Sequence, residues 1–131
     1  LEFRRVLFRS EDVVLVELSA DPTIAAGFVS WGMRRALLRI GKKVKLESSN
    51  AISHIDPDAQ VIVAFRDAYR DQRILNVLRR IEKQFPRSIF IDMGWPTREF
   101  QPSNLIRTFG SSEIAAEAVA EIFNSSQASL R

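Results

Sequence analysis

The sequence predicts an α/β fold, a mostly parallel sheet of about five strands with helices on both faces. Two observations predict the layers, and a third predicts where the sheet does its work. Segments 12–18 (DVVLVEL), 61–65 (VIVAF) and 88–91 (SIFI) are almost continuously apolar and rich in β-branched residues, the pattern of strands buried on both faces. They alternate with segments of helical periodicity at 31–40, 71–85 and 112–123, as strands do when helices cross between parallel neighbours. Three strand segments also run straight into short polar turns: 61–65 into Arg66-Asp67-Ala68-Tyr69-Arg70, 88–91 into Asp92-Met93-Gly94-Trp95-Pro96, and 104–108 into Phe109-Gly110-Ser111-Ser112. Parallel α/β sheets hold ligands outside the carboxyl ends of their strands, so these turns mark one sheet edge as the working surface.

Each element has its own local justification. After strand 12–18 comes a long connection, 19–30, holding Asp21-Pro22 and Gly27. Helix 31–40 places Ala36, Leu37 and Ile40 on one side, and Gly41 is placed to stop it. Segment 43–47 (KVKLE) alternates polar and apolar, which predicts a strand with one wetter face near the sheet edge. The connection 48–60 is polar with an apolar touch at Ile52 and Ile55, and Asp56-Pro57 marks a turn. Helix 71–85 repeats Ile74, Leu78, Ile81 and Phe85 at helical spacing, and Pro86 ends it. The last strand is 105–108. The last helix, 112–123, presents Ala115, Ala118, Val119, Ile122 and Phe123, and 125–131 reads as a polar, frayed tail. The whole is an α/β sandwich of flavodoxin-like type, without an internal repeat.

Length and composition bound the rest. With 131 residues, 46% of them apolar, the chain is one domain with a real core. It has no cysteine, hence no disulfide and no thiolate metal site. No apolar stretch is long enough to span a bilayer, and no secretory signal pattern is present; a membrane partner is not expected. The net charge of +3 comes mostly from residues 1–10 (LEFRRVLFRS), with three Arg and one Glu; elsewhere 16 Lys and Arg stand against 15 Asp and Glu. That balance does not suit nucleic acid. Residues 1–10 resemble the in-frame translation of a short-read sequencing adaptor, a natural basic strand or arm being the alternative. All ten residues fit the adaptor and join no periodic pattern. The expectation is therefore a non-native leader, with the true protein beginning upstream.

The polar turns offer candidate site residues, each with a structural counterpart. Asp67 suits sugar hydroxyls, and Arg66 and Arg70 suit an anion or carboxylate. Alternatively Asp67 or Asp71 caps the following helix and the arginines are solvated. Capping accounts for Arg70 and Asp71 more simply; Arg66 and Asp67 answer to both. Gly94 stands where the chain could need positive φ, followed by an aromatic and a rigid proline. Trp95 suits sugar stacking or an interface anchor, against a hydrophobic lid as the plain account. Gly110 belongs to a helix-opening turn whose free N–H groups favour anions, though Ser111 or Ser112 as N-cap explains the same residues more simply. Residues 24–32 (IAAGFVSWG) either line a cleft or pack under the next helix. His54 is the only histidine, so no metal site is expected. Walker, dinucleotide-binding, nucleophile-elbow and zincin patterns are missing. Ser19-Ala20-Asp21 is not the acid pair of a phosphoacceptor receiver domain.

Taken in order, DVVLVELSADPTIAAGFVSWG (12–32), VIVAFRDAYRD (61–71), IFIDMGWP (89–96) and LIRTFGSSEIAAEAVAEIF (105–123) resemble the carboxyl-terminal domain of glycoside hydrolase family 3. The nearest branch is the bacterial β-N-acetylhexosaminidase-like one, and the resemblance covers nearly all of 11–124. It implies an amino-terminal (β/α)₈ barrel of about 250 residues, which carries the aspartate nucleophile and, in this branch, a histidine-containing acid/base loop. Neither that barrel nor its lysine-histidine-phenylalanine-proline-glycine-histidine signature is in this sequence. Tyr69 and Phe109 stand where relatives often have histidine, and Phe28 and Ser30 replace a more usual acidic residue and proline.

The resemblance therefore implies an accessory domain that packs on the barrel of its parent chain, or on a second copy, and borders the sugar cleft. Arg66, Asp67, Arg70, Gly94, Trp95 and Gly110 form the cleft border, and Trp31 and Trp95 the packing contacts. No catalytic residue, metal or cofactor is expected in this chain, and carbohydrate is met only through the parent. The parent reaction is a retaining displacement through a glycosyl-enzyme intermediate, in a cytoplasmic or secreted enzyme. The alternative is a stand-alone flavodoxin-like binding or interaction module without hydrolase activity.

Overall fold

Among the described residues, five parallel strands and three α-helices build the domain. The computed structural model describes residues 2–3, 12–19, 32–47, 49–110 and 113–129. Its strands are β1 (Glu2–Phe3), β2 (Asp12–Ser19), β3 (Lys43–Glu47), β4 (Gln60–Arg66), β5 (Ile89–Asp92) and β6 (Leu105–Arg107). The helices are α1 (Met33–Arg39), α2 (Gln72–Gln84) and α3 (Glu113–Ser129), with 3-10 turns at Ser49–His54 and Ala68–Arg70. The sheet order is β1-β6-β5-β4-β2-β3, and all pairs among β2 to β6 are parallel. Counted along the five parallel strands this is the order 2-1-3-4-5 of doubly wound, flavodoxin-like sheets.

Both faces are covered, as continuous apolar strands require. On one, Val13, Leu15, Ile62, Ala64, Ile89, Ile91 and Ile106 pack under α1 and α3. On the other, Val16, Val61, Val63, Phe65, Phe90 and Leu105 pack under α2, Ile52 and Phe100. β3 is the sheet edge, as its alternation predicts, with Lys43 and Lys45 exposed. The 3-10 helix Ser49–His54 adds Ile52 to this second face, where Val14 is half-buried.

The helix ends follow local rules. The Asp71 carboxylate accepts from the Arg73 amide at 2.9 Å and so caps α2. Hydrogen bonds from Arg73 hold that carboxyl below its ordinary value. Gly41 stops α1 with φ +84°, its amide bonding Leu38 O while the Lys42 amide bonds Leu37 O.

Two departures concern the ends of the chain. Helix α3 runs to Ser129, through most of the segment read as a frayed tail. Residues 113–131 contain no Gly or Pro, and Asn, Ser and Gln each weaken a helix by only about 0.7 kcal/mol or less. The buried stripe of α3 is Ala116, Val119, Ala120 and Phe123, with Ala118 and Ile122 half-buried at its border. Glu2 and Phe3 pair antiparallel with Arg107 and Ile106. An open strand edge templates any extended segment through its backbone, so this pairing makes no demand on the origin of residues 1–10.

Candidate functional site

β4, β5 and β6 are neighbours and parallel, so their carboxyl ends and following turns emerge side by side. β2 lies next to β4 and carries β3 on its other flank. The strand order therefore reverses between β2 and β4, where such sheets hold ligands. Ser19 is paired with Arg66 across that switch point.

The turn after β4 is tight. Asp67 takes the left-handed conformation (φ 56°, ψ 35°), and the Arg70 amide donates to Asp67 O at 3.0 Å to close the 3-10 turn. The Asp67 side chain caps nothing, contrary to one of its two sequence readings; the helix cap is Asp71. Instead its Oδ2 lies 3.4 Å from Arg66 Nε, and its Oδ1 turns towards Gly94. Ala68 is buried beneath the turn, while Tyr69 and Arg70 are exposed.

Gly94 is a glycine for a reason other than the expected positive φ, since it has none. A Cβ there would stand 2.8 Å from Arg66 Cγ, 2.8 Å from Asp67 Oδ1 and 3.2 Å from Asp67 N. The β4 and β5 turns pack too closely for a side chain between them. Arg66, Asp67 and Gly94 thus form one contact group.

Asp92 organises the second turn. It is 1% exposed at the last position of β5. Its Oδ2 accepts from the Thr97 amide at 2.9 Å and its Oδ1 from the Gly94 amide at 3.4 Å. Its carbonyl accepts from the Thr108 amide at 3.0 Å, tying in the turn after β6. Burial pushes the Asp92 carboxyl up and Asp67 adds to this; the Thr97 and Gly94 amides and the charge of Arg107 oppose it.

After β6, the Thr108 hydroxyl donates to Gly110 O at 2.6 Å. Phe109 is left-handed (φ 59°), uncommon for a bulky residue. A Cβ on Gly110 would meet nothing within 4 Å, so Gly110 makes no close approach of the kind seen at Gly94. Trp31, Ser111, Ser112 and most of loop 24–32 lie outside the described residues.

The same edge exposes large apolar side chains: Tyr69 at 42%, Trp95 at 74%, Phe109 at 56% and, in the first turn of α3, Ile114 at 79%. Asp67 and Phe109, the two non-glycine residues of positive φ among the described residues, belong to it too. Two cavities lie elsewhere. One of about 440 Å³ is lined by Asp12, Lys43, Gln60 and Arg87 at the amino ends of the strands. The other, of about 330 Å³, lies over Val14 and Lys45 near His54. None of the sequence-predicted site residues lines either. His54 is exposed, and no cluster of metal-ligating side chains occurs among the described residues.

Asp92 and Glu17 were not among the sequence candidates. For Glu17 the signal was a carboxylate inside an otherwise apolar strand, and for Asp92 a carboxylate directly after one. Glu17 is half-buried near the carboxyl end of β2, and burial pushes its carboxyl up. A folded value raised above the unfolded one contributes stability below the unfolded pKa and loses it as pH rises through the folded pKa. Glu17→Gln is therefore expected to match the parent chain at acid pH and to exceed its stability at neutral pH. Urea midpoints at both pH values test this, and a difference that does not change with pH would contradict it.

No family model matches the chain, and no curated protein matches it. Among solved structures it is similar to a fungal protein described as "A unique GCN5-related glucosamine N-acetyltransferase region exist in the fungal multi-domain GH3 beta-N-acetylglucosaminidase". The TM-score is 0.62 at 16% identity, over 87% of this chain and 14% of that one. This chain therefore spans a small part of the fungal protein's length. At such identity the likeness shows the fold alone: an α/β sheet of a kind that a multi-domain GH3 β-N-acetylglucosaminidase also contains.

Proposed function

We propose that this chain is the accessory carboxyl-terminal α/β domain of a β-N-acetylglucosaminidase-type glycoside hydrolase, docked by its carboxyl sheet edge on a catalytic (β/α)₈ barrel of the same parent. The observation that carries this reading is the exposed set Tyr69, Trp95, Phe109 and Ile114 around the ends of three adjacent parallel strands. Aromatic side chains gathered on one exposed surface mark interaction sites. The parallel sheet is the architecture that the family 3 resemblance implies, and the fungal neighbour supports an accessory place in a multi-domain protein at the level of fold.

In this reading Arg66 and Asp67 border the sugar cleft, with Arg70, Gly94 and Gly110 beside them, and Trp95 packs on the barrel. Residues 1–10 are a foreign leader, and 11–124 are the native domain. The retaining displacement takes place on the barrel, with its nucleophile there. The purified 131-residue chain is therefore expected not to turn over a chromogenic N-acetylglucosaminide, and turnover above the uncatalysed rate would contradict the reading. Glucosamine N-acetyl transfer, named for a region of the fungal protein, is expected to be absent as well.

The strand order favours a second reading, a stand-alone flavodoxin-like binding module with its ligand at the β2/β4 switch point. The complete gene separates the two. A barrel encoded upstream supports the accessory domain, and a start codon directly before the domain supports the module.

A further inference from the structure

The geometry points to a pH-operated latch at Asp92: protonation of its carboxyl releases the Gly94 amide, leaves the Thr97 amide bonded, and loosens the Gly94 turn from the Arg66–Asp67 loop. The two carboxylate oxygens are not equivalent. Oδ2 holds the Thr97 amide at 2.9 Å, a good hydrogen bond, whereas Oδ1 holds the Gly94 amide at 3.4 Å, near the limit. A neutral carboxyl keeps one strong acceptor and turns the other oxygen into a donor. The proton goes to the oxygen with less to lose, which is Oδ1. The Gly94 amide then faces a hydroxyl in place of an anion.

Gly94 is placed to transmit the change. Arg66 Cγ and Asp67 Oδ1 fill the space a side chain would take at residue 94, and Asp67 already holds a left-handed backbone. A displacement of the Gly94 turn is therefore felt in the loop that carries Tyr69 and Arg70. The charged groups facing Asp92 are Arg107 from β6, which favours the anion, and Asp67 from the β4 turn, which favours the proton. Arg66 pairs with Asp67 at 3.4 Å. Residues 93–97 carry no charge, and Arg98 and Glu99 beyond them are exposed. Burial sets the direction, raising the Asp92 carboxyl above its ordinary value and so bringing the transition closer to neutral pH. None of this depends on what the edge docks against.

The test is an NMR titration of the isotopically labelled 131-residue chain from neutral pH downward. The side-chain carboxyl carbon of Asp92 and the amide nitrogen of Gly94 are expected to titrate together, with a midpoint above the value of about 3.9 for a free Asp. The Thr97 amide shifts less. Asp67→Asn, which removes the nearby negative charge, is expected to keep the Gly94 transition and lower its midpoint, whereas Asp92→Asn abolishes it. A Gly94 amide that stays flat while Asp92 titrates would overturn the proposal. So would a Gly94 transition that survives Asp92→Asn or vanishes in Asp67→Asn. If Asp92→Asn does not fold, the parent chain and Asp67→Asn still decide.

Discussion

Alanine in place of Phe100 is expected to destabilise the chain by about 3–5 kcal/mol, as for other buried phenylalanines. Residues 93–104 join β5 to β6 without an α-helix, so this long connection must be held by single side chains. Phe100, 4% exposed, anchors its middle in the core, and Met93 is buried at its start. The Phe100 ring stands edge-on to Phe90 at 4.8 Å and 80°, and to Phe65 at 6.0 Å and 70°, an arrangement aromatic pairs favour. Removing the ring leaves a cavity over Phe65 and Phe90 on this face of the sheet. Against a total of about 5–15 kcal/mol for a typical domain, that loss is a large fraction. Denaturant midpoints measure it, and a loss under about 1 kcal/mol would mean that the loop is anchored elsewhere.

Gly94→Ala is expected to cost about 1–3 kcal/mol, the usual penalty for forcing a methyl group into filled space. The clash is with Arg66 Cγ, close to the root of its side chain, and with Asp67 Oδ1 and its backbone N. Asp67 Oδ1 can swing aside as the end of its side chain, but Arg66 Cγ and the Asp67 backbone N cannot, so the two turns must separate. Gly110→Ala is the matched control, because a Cβ there meets nothing within 4 Å. It is expected to stay within about 0.5 kcal/mol of the parent chain. Equal stability for the two variants would show that the β4 and β5 turns do not pack as described.

The strands were legible because their burial leaves a local mark. Residues 61–65 are apolar without a break and lie fully buried, while the alternation of 43–47 announced an edge. Punctuation was legible at Gly41 and Asp71, where one residue meets one backbone requirement. The gathering of the polar turns at one sheet edge was legible, but the contacts between them were not. Gly94 follows an apolar strand, which suggested a turn, but its real constraint comes from Arg66 and Asp67, distant in sequence. Asp92 read as the first residue of a turn, whereas it is the buried end of β5 and binds amides two and five residues ahead. Pairing between β1 and β6 and the register across β2 and β4 depend on long-range backbone geometry, which no local pattern encodes.

Amide hydrogen exchange reads out whether the carboxyl sheet edge is a docking surface, as proposed above. Where the complete gene encodes the proposed barrel, the full-length protein is compared with the isolated 131-residue chain. Slower exchange is expected in the full-length protein around Tyr69, Trp95, Phe109 and Ile114, with no change around Asp58 and Arg87 at the opposite edge. Unchanged exchange at the aromatic edge, or protection confined to the amino edge, would contradict it.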